Sequence, residues 1–329
     1  MQPRSPSDPR VAVLDVAALT VTTPDNSIVI VNDLTLQVAA GEMLALLGES
    51  GCGKSMTSLA LMRLTNGLNT SGRITLLGRD IATTPEKAMS AIRGREMAMI
   101  FQNPMSALNP VRSVGRQISE TVRRHMGLSR KAARQRAIAL LEEVGLADPV
   151  RCYDAYPHEL SGGMCQRVMI AMAISCDPIL LIADEPTTAL DVTIQKQIMD
   201  LLHILKVRRG MGILMITHDL GVVATYADRV AVMYAGRLVE QADVHTLFSI
   251  PRHPYTRGLM DSMPDLEDAS DLFYAIPGTV PELRALPPGC SFAPRCTRAD
   301  TNCTHAFPGH TTFGANSFVC CFHPVEAAT

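Results

Sequence analysis

A glycine-rich segment has the residue types needed to bind a polyphosphate. It reads Gly48-Glu49-Ser50-Gly51-Cys52-Gly53-Lys54-Ser55. It follows the apolar run 43–47, which is typical of a buried strand, and precedes residues 56–64, whose spacing predicts a helix. In this context glycines let backbone N–H groups converge on phosphate, Lys54 reaches the terminal phosphates and the Ser55 hydroxyl holds Mg²⁺. We predict that the chain binds a nucleoside triphosphate.

Polar residues that follow three other predicted strands suit the transfer of a phosphoryl group. Asp184 ends an apolar strand, which is the expected place for a carboxylate that helps to hold Mg²⁺. Glu185 comes next and is placed to orient the attacking water or accept its proton. We expect Gln102 to sense Mg²⁺ and this water through its amide, and His218 to donate a hydrogen bond to the γ-phosphate.

A second helix start has the character of an anion site. Ser161-Gly162-Gly163 opens a predicted helix that runs to about Cys176. This segment belongs to a helical insert, away from Lys54, so the two half-sites are not expected to serve one nucleotide within one chain. We therefore predict head-to-tail pairing, in which Ser161 of one copy covers the nucleotide held by the other.

Alternating strands and helices predict an α/β fold with a mostly parallel core sheet. Residues 11–22 and 28–38 alternate apolar and polar side chains and predict a pair of antiparallel strands. A helical subdomain is predicted at about 105–160. It is the basic part of the chain, and we interpret its charges as a solvated helix face, because residues 112–136, which carry them, include no Phe, Tyr or Trp for stacking on bases. The basic residues are Arg112, Arg116, Arg123, Arg124, Arg130, Lys131, Arg134 and Arg136.

Length and composition limit the compartment and the partners. The chain has 329 residues, which is enough for one large domain with an appendage. Its net charge of -2 is too small to favour binding to nucleic acid or to an anionic bilayer. It has no apolar run of the ~18 residues that would suggest a membrane span. Residues 1–10 lack a signal-peptide core. We expect a cytoplasmic protein that serves a membrane only by docking onto another chain.

These motifs together resemble the ATP-binding cassette (ABC) family, the nucleotide-binding subunits of ABC transporters. The likeness covers about residues 11–250, and we predict an ATPase domain at 1–250. The motifs occur in the family's order: the phosphate loop, Gln102, Leu160-Ser161-Gly162-Gly163, Asp184-Glu185, Ala189-Leu190-Asp191 and His218. The resemblance implies a P-loop fold, ATP and Mg²⁺ as ligands, contact of Asp191 with the nucleotide site, and a dimer that ATP closes and hydrolysis reopens. It also implies that the surface near Gln102 transmits this motion to transmembrane subunits.

A finer resemblance is to the dipeptide and oligopeptide permease ATPases. Residues 101–110, Tyr156-Pro157-His158-Glu159-Leu160, Met164 and His253-Pro254-Tyr255-Thr256 carry it. It implies peptide import, a second ATPase subunit (a copy or a paralogue), two permease subunits and, indirectly, an extracytoplasmic substrate-binding protein, with no nucleic acid. The chain would lie peripherally at the cytoplasmic face of the inner or plasma membrane. Glutathione and nickel chelates stay open as cargoes. A second alternative is that the chain is a soluble cassette ATPase that acts on DNA or ribosomes, although such proteins usually carry two cassettes or long insertions.

The sequence departs from the family's pattern at three places. No Phe, Tyr or Trp precedes Phe101, so the region of Thr23 lacks the aromatic residue that usually stacks on adenine. Stacking contributes about 0.5–1.5 kcal/mol, so we expect weaker nucleotide binding or adenine selectivity rather than its loss. Cys52 and Cys165 replace a serine and an arginine. Beside a phosphate-binding helix start, the Cys52 thiol is expected to have a lowered pKa and to react readily.

Five of the nine cysteines lie in the last forty residues, within a predicted C-terminal extension at 251–329. This proline- and glycine-rich tail has little helical or strand pattern, so we expect it to need a covalent or metal staple. Four thiolates could hold a [4Fe–4S] cluster or zinc, or stay reduced without a metal. The resemblance favours an iron–sulfur cluster, with Cys321 rather than Cys320 as the fourth ligand. The expected ligands are Cys290, Cys296, Cys303 and Cys321.

Overall fold

The structure is a computed structural model that describes residues 12–188, 190–262, 275–314 and 316–326. Two of the predictions concern residues outside the described ones. They are the loop that contains Ala189 and the lack of a signal-peptide core in residues 1–10. The chain divides into two compact units, which we describe separately. The first comprises residues up to Asp15, Gln37–Met43 and Thr75–Met215, and the second comprises Val16–Leu36, Leu44–Ile74 and the residues from Ile216 onward.

The strands lie close to where the apolar patterns predict them. The antiparallel pair predicted at 11–22 and 28–38 is confirmed as β1 and β2, which belong to a sheet of order β2-β1-β4-β5. The strands are β1 (Ala12–Thr22), β2 (Val29–Ala39), β3 (Met43–Leu47), β4 (Asn69–Leu76), β5 (Arg79–Asp80), β6 (Met97–Ile100), β7 (Leu180–Asp184), β8 (Gly212–Thr217), β9 (Arg229–Tyr234), β10 (Arg237–Asp243), β11 (Thr311–Gly314) and β12 (Ser317–Val319).

In the first unit, β6, β7 and β8 lie side by side. β6 and β7 are parallel, with Met97 opposite Leu180 and Ile100 opposite Ala183. Every residue of these three strands is buried. Strands covered on both faces are expected to be continuous apolar runs, as here. Because parallel strands end at the same edge of a sheet, this pairing brings the residues after β6 and β7 together.

In the second unit, β3 pairs in parallel with β9, and β9 and β10 form an antiparallel hairpin around Gly236. The C-terminal tail then adds two strands, because β12 pairs with β10 and β11 pairs with β12. The prediction that the tail has little strand pattern is therefore wrong for residues 311–314 and 317–319. β12 has only three residues, too few to show alternation, and it forms because β10 offers an edge with free backbone groups.

The helices include those predicted to follow the phosphate loop, to fill the insert and to follow Ser161. They are α1 (Lys54–Leu61), α2 (Glu86–Ile92), α3 (Pro104–Ala107), α4 (Val114–Met126), α5 (Arg130–Glu143), α6 (Pro149–Asp154), α7 (Gly162–Ala173), α8 (Val192–Arg209), α9 (Leu220–Tyr226), α10 (Val244–Ser249), α11 (Pro254–Asp261) and α12 (Thr301–His305). Within the part of the chain that the structure describes, no helix is both long and apolar enough to span a bilayer.

Helices α4, α5 and α6 pack against one another in the predicted insert. α4 buries Val114, Ile118 and Val122, which are four residues apart and share one face of the helix. The ring of Tyr153 in α6 fills the space over Gly115, where an added Cβ would lie 2.1 Å from the ring. The Tyr153 hydroxyl is 3.0 Å from the Oγ of Ser119. Small residues on α4 therefore allow α6 to pack closely.

Candidate functional site

The phosphate loop lies in the second unit between β3, which is wholly buried, and α1. A Cβ added at Gly48 would lie 2.3 Å from the carbonyl oxygen of Met233, so the loop starts in direct contact with the end of β9. Gly53 precedes the first residue of α1 with φ of 106°, a left-handed conformation that glycine adopts without strain. These two positions admit only glycine without a shift of the backbone.

Lys54 points into the curve of this loop. Its side chain is buried, and its Nζ donates hydrogen bonds to the carbonyl oxygens of Gly48, at 2.7 Å, and Glu49, at 2.9 Å. Ser50, Gly51 and Ser55 are exposed around it. An ammonium group held by loop carbonyls, beside a helix start, fits the phosphates of ATP, and the accessible Ser55 hydroxyl fits Mg²⁺.

The prediction of a reactive Cys52 is wrong. The Cys52 side chain is fully buried, and its Sγ lies 3.9 Å from the Nζ of Lys54. Burial raises the pKa of the Cys52 thiol, and this effect exceeds the attraction of Lys54, which acts in the opposite direction. A loop position beside a helix start therefore does not produce a thiolate when the sulfur points into the core.

We accordingly expect Cys52 to resist alkylation. With its pKa raised, the group stays a protonated thiol at neutral pH, and thiols react far more slowly than thiolates. Iodoacetamide at neutral pH should label the folded chain at Cys52 at least about tenfold more slowly than the urea-unfolded chain, as measured by peptide mass spectrometry. Equal labelling rates in the two states would show that the sulfur is accessible and contradict this placement.

In the first unit, the residues after β6 and β7 meet as their parallel pairing requires. The Oε2 of Glu185 accepts a hydrogen bond from the Nε2 of Gln102 at 2.8 Å and another from the Oγ1 of Thr188 at 2.8 Å. Asp184, one residue earlier, is buried at the end of β7. Glu185 has a φ of 46°, an uncommon backbone conformation for a residue with a side chain and one that clusters at functional sites.

Ser161 caps helix α7 and leaves its surface accessible. Its Oγ accepts a hydrogen bond from the backbone N–H of Met164 at 3.3 Å, and both Ser161 and Gly162 are exposed. A Cβ added at Gly163 would lie 3.0 Å from the Cγ2 of Ile194 in α8, so this glycine allows α7 and α8 to approach. This helix start could bind an anion presented from outside its own unit.

Asp191 caps the start of helix α8. Its side chain accepts a hydrogen bond from the N–H of Ile194 at 3.0 Å and so starts α8. The side chain of Gln166 in α7 donates to the carbonyl oxygen of Pro186 at 2.6 Å. Ser161, Asp191 and the segment after Glu185 thus form one packed structure.

His218 is exposed directly after β8, as its position at a strand end predicts. Its neighbour Asp219 caps α9 by accepting a hydrogen bond from the N–H of Val222 at 3.0 Å. His218 belongs to the second unit with Lys54, whereas Gln102, Asp184, Glu185 and Ser161 belong to the first.

The four predicted cysteine ligands line one cavity in the C-terminal segment. Cys290, Cys296, Cys303 and Cys321 all face it, together with His253, Phe292 and His323. Cys320 is at the end of β12, where its N–H donates to the carbonyl oxygen of Val239. Burial raises the pKa of Cys290, Cys303 and Cys321, the last to about 11. Asp300, Cys303 and His323 form a further group whose possible ligand atoms lie within 4.8 Å of one another.

Sequence reasoning missed four contacts of the site. Thr188 donates to Glu185, Tyr255 and Arg295 both contact Glu49, and His253 lines the cysteine cavity. Tyr255 and His253 belong to a motif that we recognised only as part of a resemblance, with no role. Arg295 carries no local signal, because its partner is 246 residues away.

Comparison with known proteins supplies the family. Residues 31–188 match the family described as ABC transporter, and residues 239–303 match the C-terminal region of oligopeptide/dipeptide transporters. A protein of Brucella melitensis named as a peptide import ATP-binding protein is 51% identical over 91% of this chain and 93% of its own length. This chain belongs to the ABC transporter ATP-binding proteins. A second Brucella melitensis protein of the same description is 49% identical over 88% of each chain.

Solved structures of ABC proteins share the fold. CbiO1 of Clostridium perfringens, described as part of an ABC transporter complex, matches with a TM-score of 0.63 and 29% identity over 73% of this chain and 91% of its own. A dimeric bacterial ABC transporter cassette matches with a TM-score of 0.63 and 25% identity over 70% of this chain and 98% of its own. The predicted ABC cassette fold is confirmed, and the chain is an ATPase of this family.

Proposed function

We propose that this ABC ATPase powers the import of peptides, with dipeptides and oligopeptides as its cargo. The observation that carries the proposal is the match of residues 239–303 to the C-terminal region of oligopeptide/dipeptide transporters. It is supported by relatives about half identical to the chain that are named peptide import ATP-binding proteins. We assign residues 1–250 to the ATPase domain and 251–329 to the peptide-transporter extension.

We assign the predicted site residues their roles in hydrolysis. Lys54 and the loop Gly48–Ser55 bind the phosphates, and Ser55, Gln102 and Asp184 hold Mg²⁺. Glu185 orients the attacking water or accepts its proton. Gln102 and Thr188 donate hydrogen bonds to its Oε2 and so hold the carboxylate in place. His218 donates a hydrogen bond to the γ-phosphate. ATP with Mg²⁺ supplies the phosphoryl group and the charge that polarises it.

We further propose that Ser161, Gly162, Gly163 and Asp191 act on the nucleotide of a second subunit. The exposure of Ser161 and Gly162 supports this assignment, because the start of α7 is accessible to an anion from another chain. The second subunit is a copy or a paralogue. Two permease subunits would receive the motion at the cytoplasmic face of the membrane, and a substrate-binding protein would deliver the peptide from outside.

The test of transport is the identity of the co-purifying chains. A tagged version of this chain, recovered from detergent-solubilised membranes of its own host, should bring down two membrane-spanning subunits. A substrate-binding protein loaded with peptide should then raise the ATPase rate of the complex. Recovery of ribosomes or DNA without a permease would instead favour a non-transport cassette ATPase. If only glutathione or nickel chelates raise the ATPase rate of the complex, one of these, rather than a peptide, is the cargo.

For the cysteine cavity we propose a [4Fe–4S] cluster held by Cys290, Cys296, Cys303 and Cys321, with zinc as the alternative. The common cavity supports it. A further support is His253, which lines the cavity and has a buried Nε2 with no hydrogen-bond partner among the described residues, as a donor to a cluster sulfur would. The raised pKa of three of the thiols means that a metal would have to displace their protons.

We expect anaerobically purified protein to be brown, with an absorbance band at about 400 nm that bleaches on reduction. Cys321→Ser should remove the band, and Cys320→Ser should retain it, since only Cys321 lines the cavity. Cys176→Ser, a buried cysteine of the first unit, serves as a further control. Colourless protein with one zinc per chain would reject the cluster, and colourless metal-free protein would reject both metals.

A further inference from the structure

A residue of the C-terminal segment forms an ion pair with the phosphate loop. The guanidinium of Arg295 places one nitrogen 2.8 Å from Oε2 of Glu49 and another 3.2 Å from Oε1. The Arg295 side chain is 5% exposed, so this pair is shielded from water on the arginine side. Two-point pairing of this kind fixes both the position and the direction of a carboxylate.

Arg295 is held by further hydrogen bonds. It donates to the carbonyl oxygens of Pro277 at 3.0 Å and Ile276 at 3.3 Å, and to the hydroxyl of Tyr234 at 3.4 Å. The rings of Tyr234 and Phe292 pack beside it, with centroids 5.3 Å apart. A guanidinium with this many partners has little freedom, so Glu49 is held by a rigid group rather than by a mobile surface side chain.

The backbone of Glu49 is held from the same segment. Its N–H donates to the Oη of Tyr255 at 2.9 Å, and the Tyr255 ring packs against Tyr234 with centroids 4.6 Å apart. The carbonyl oxygen of Glu49 accepts from the Nζ of Lys54 at 2.9 Å. Glu49 therefore connects Tyr255 and Arg295 to the lysine that reaches the phosphates.

The charge of Glu49 gives this arrangement an electrostatic effect on the loop. A carboxylate within a loop that binds a polyanion repels its ligand unless a nearby cation compensates it. Lys54 contacts the backbone carbonyl oxygen of Glu49. The carboxylate of Glu49 is paired with Arg295 instead. With Arg295 absent, a negative charge would remain on the loop where ATP binds.

We propose that Arg295 and Tyr255 are positioning residues for ATP, and that Arg295 also neutralises Glu49 so that the loop accepts a triphosphate. The proposal rests on the ATPase function and is independent of the cargo and of the metal. It means that the extension after residue 250 completes the ATP site, so the ATPase domain predicted at 1–250 does not bind ATP normally without it.

The test is Arg295→Met in the full chain, with the dissociation constant of a slowly hydrolysed ATP analogue as the readout. We expect it to rise about tenfold, and KM for ATP to rise in parallel with kcat nearly unchanged. The loss should be smaller for ADP, which carries less charge, and should shrink at high salt. The double variant Arg295→Met with Glu49→Gln should recover most of the affinity, because the uncompensated charge is gone.

Two further variants and one control complete the design. Tyr255→Phe, which leaves the Glu49 N–H without its acceptor, should weaken binding about threefold. Glu49→Gln alone should lower the dissociation constant for ATP, because Arg295 then carries an uncompensated positive charge beside the loop. Arg209→Met removes a half-buried arginine that pairs with Glu143 and Asp177 in the first unit, and it should leave ATP affinity unchanged.

Several outcomes would overturn the proposal. One is an unchanged dissociation constant for the ATP analogue in Arg295→Met. Another is a double variant that binds the analogue as weakly as Arg295→Met does, because this would indicate that Arg295 has a structural role only. If Arg295→Met does not fold, Tyr255→Phe and Glu49→Gln decide, and weaker binding by Glu49→Gln would contradict the charge argument. An unaltered chain that binds no ATP analogue would refute the ATP site itself, a result separable from all of these.

Discussion

Replacing Glu185 with Gln lowers the steady-state rate of ATP hydrolysis by about 10²–10⁴-fold, the contribution expected of a general base. The amide cannot accept the proton of the attacking water, although its oxygen can still accept the hydrogen bond that Thr188 donates. ATP binding should persist, because the phosphate loop is unaltered. The measurement is phosphate release at saturating Mg-ATP, together with the amount of bound ATP retained after gel filtration.

The matched control is Glu143→Gln, the same change at an acidic residue of the same unit that pairs with Arg209. It should hydrolyse ATP at the parental rate. Thermal unfolding of both variants should show that each is folded. A Glu185→Gln variant that retains more than about a tenth of the parental kcat would show that another group activates the water, and would remove the proposed role of Glu185.

Mixing two inactive variants restores ATP hydrolysis if the nucleotide sites are shared between copies. Lys54→Ala removes the ammonium that Gly48 and Glu49 hold in the loop, and Ser161→Arg blocks the exposed start of α7. Each variant alone should lose ATPase activity by at least about 10²-fold. In a mixed dimer, intact Lys54 of one copy faces intact Ser161 of the other, so one of the two sites recovers. The measurement is the ATPase rate of the mixture.

The control mixture combines Lys54→Ala with Glu185→Gln. On the proposed scheme both residues act on the nucleotide bound by their own copy, so neither site of the mixed dimer is complete and no activity returns. Recovery in the control as strong as in the test mixture would contradict head-to-tail sharing. If neither mixture recovers activity, this chain does not pair productively with itself, and the partner would be a paralogue.

Local sequence determined the elements of the fold and the motif residues. The phosphate loop follows β3 and precedes α1 because an apolar run, glycines and a helical pattern succeed one another within about twenty residues, and each is a short-range signal. Ser161, Asp191 and Asp219 start their helices through hydrogen bonds to backbone N–H groups three residues away. Such contacts need no tertiary structure.

Contacts between distant parts of the chain, and burial, were decided only by the tertiary structure. Gln102 and Glu185 are 83 residues apart, and Glu49 lies 206 residues from Tyr255 and 246 from Arg295. No local pattern records which distant side chain will face which. The sign of the Cys52 pKa shift likewise depended on burial, because desolvation by the surrounding core exceeds the attraction of Lys54. The sequence thus determined which residues can do the chemistry, and packing decided which of them are held, neutralised or hidden.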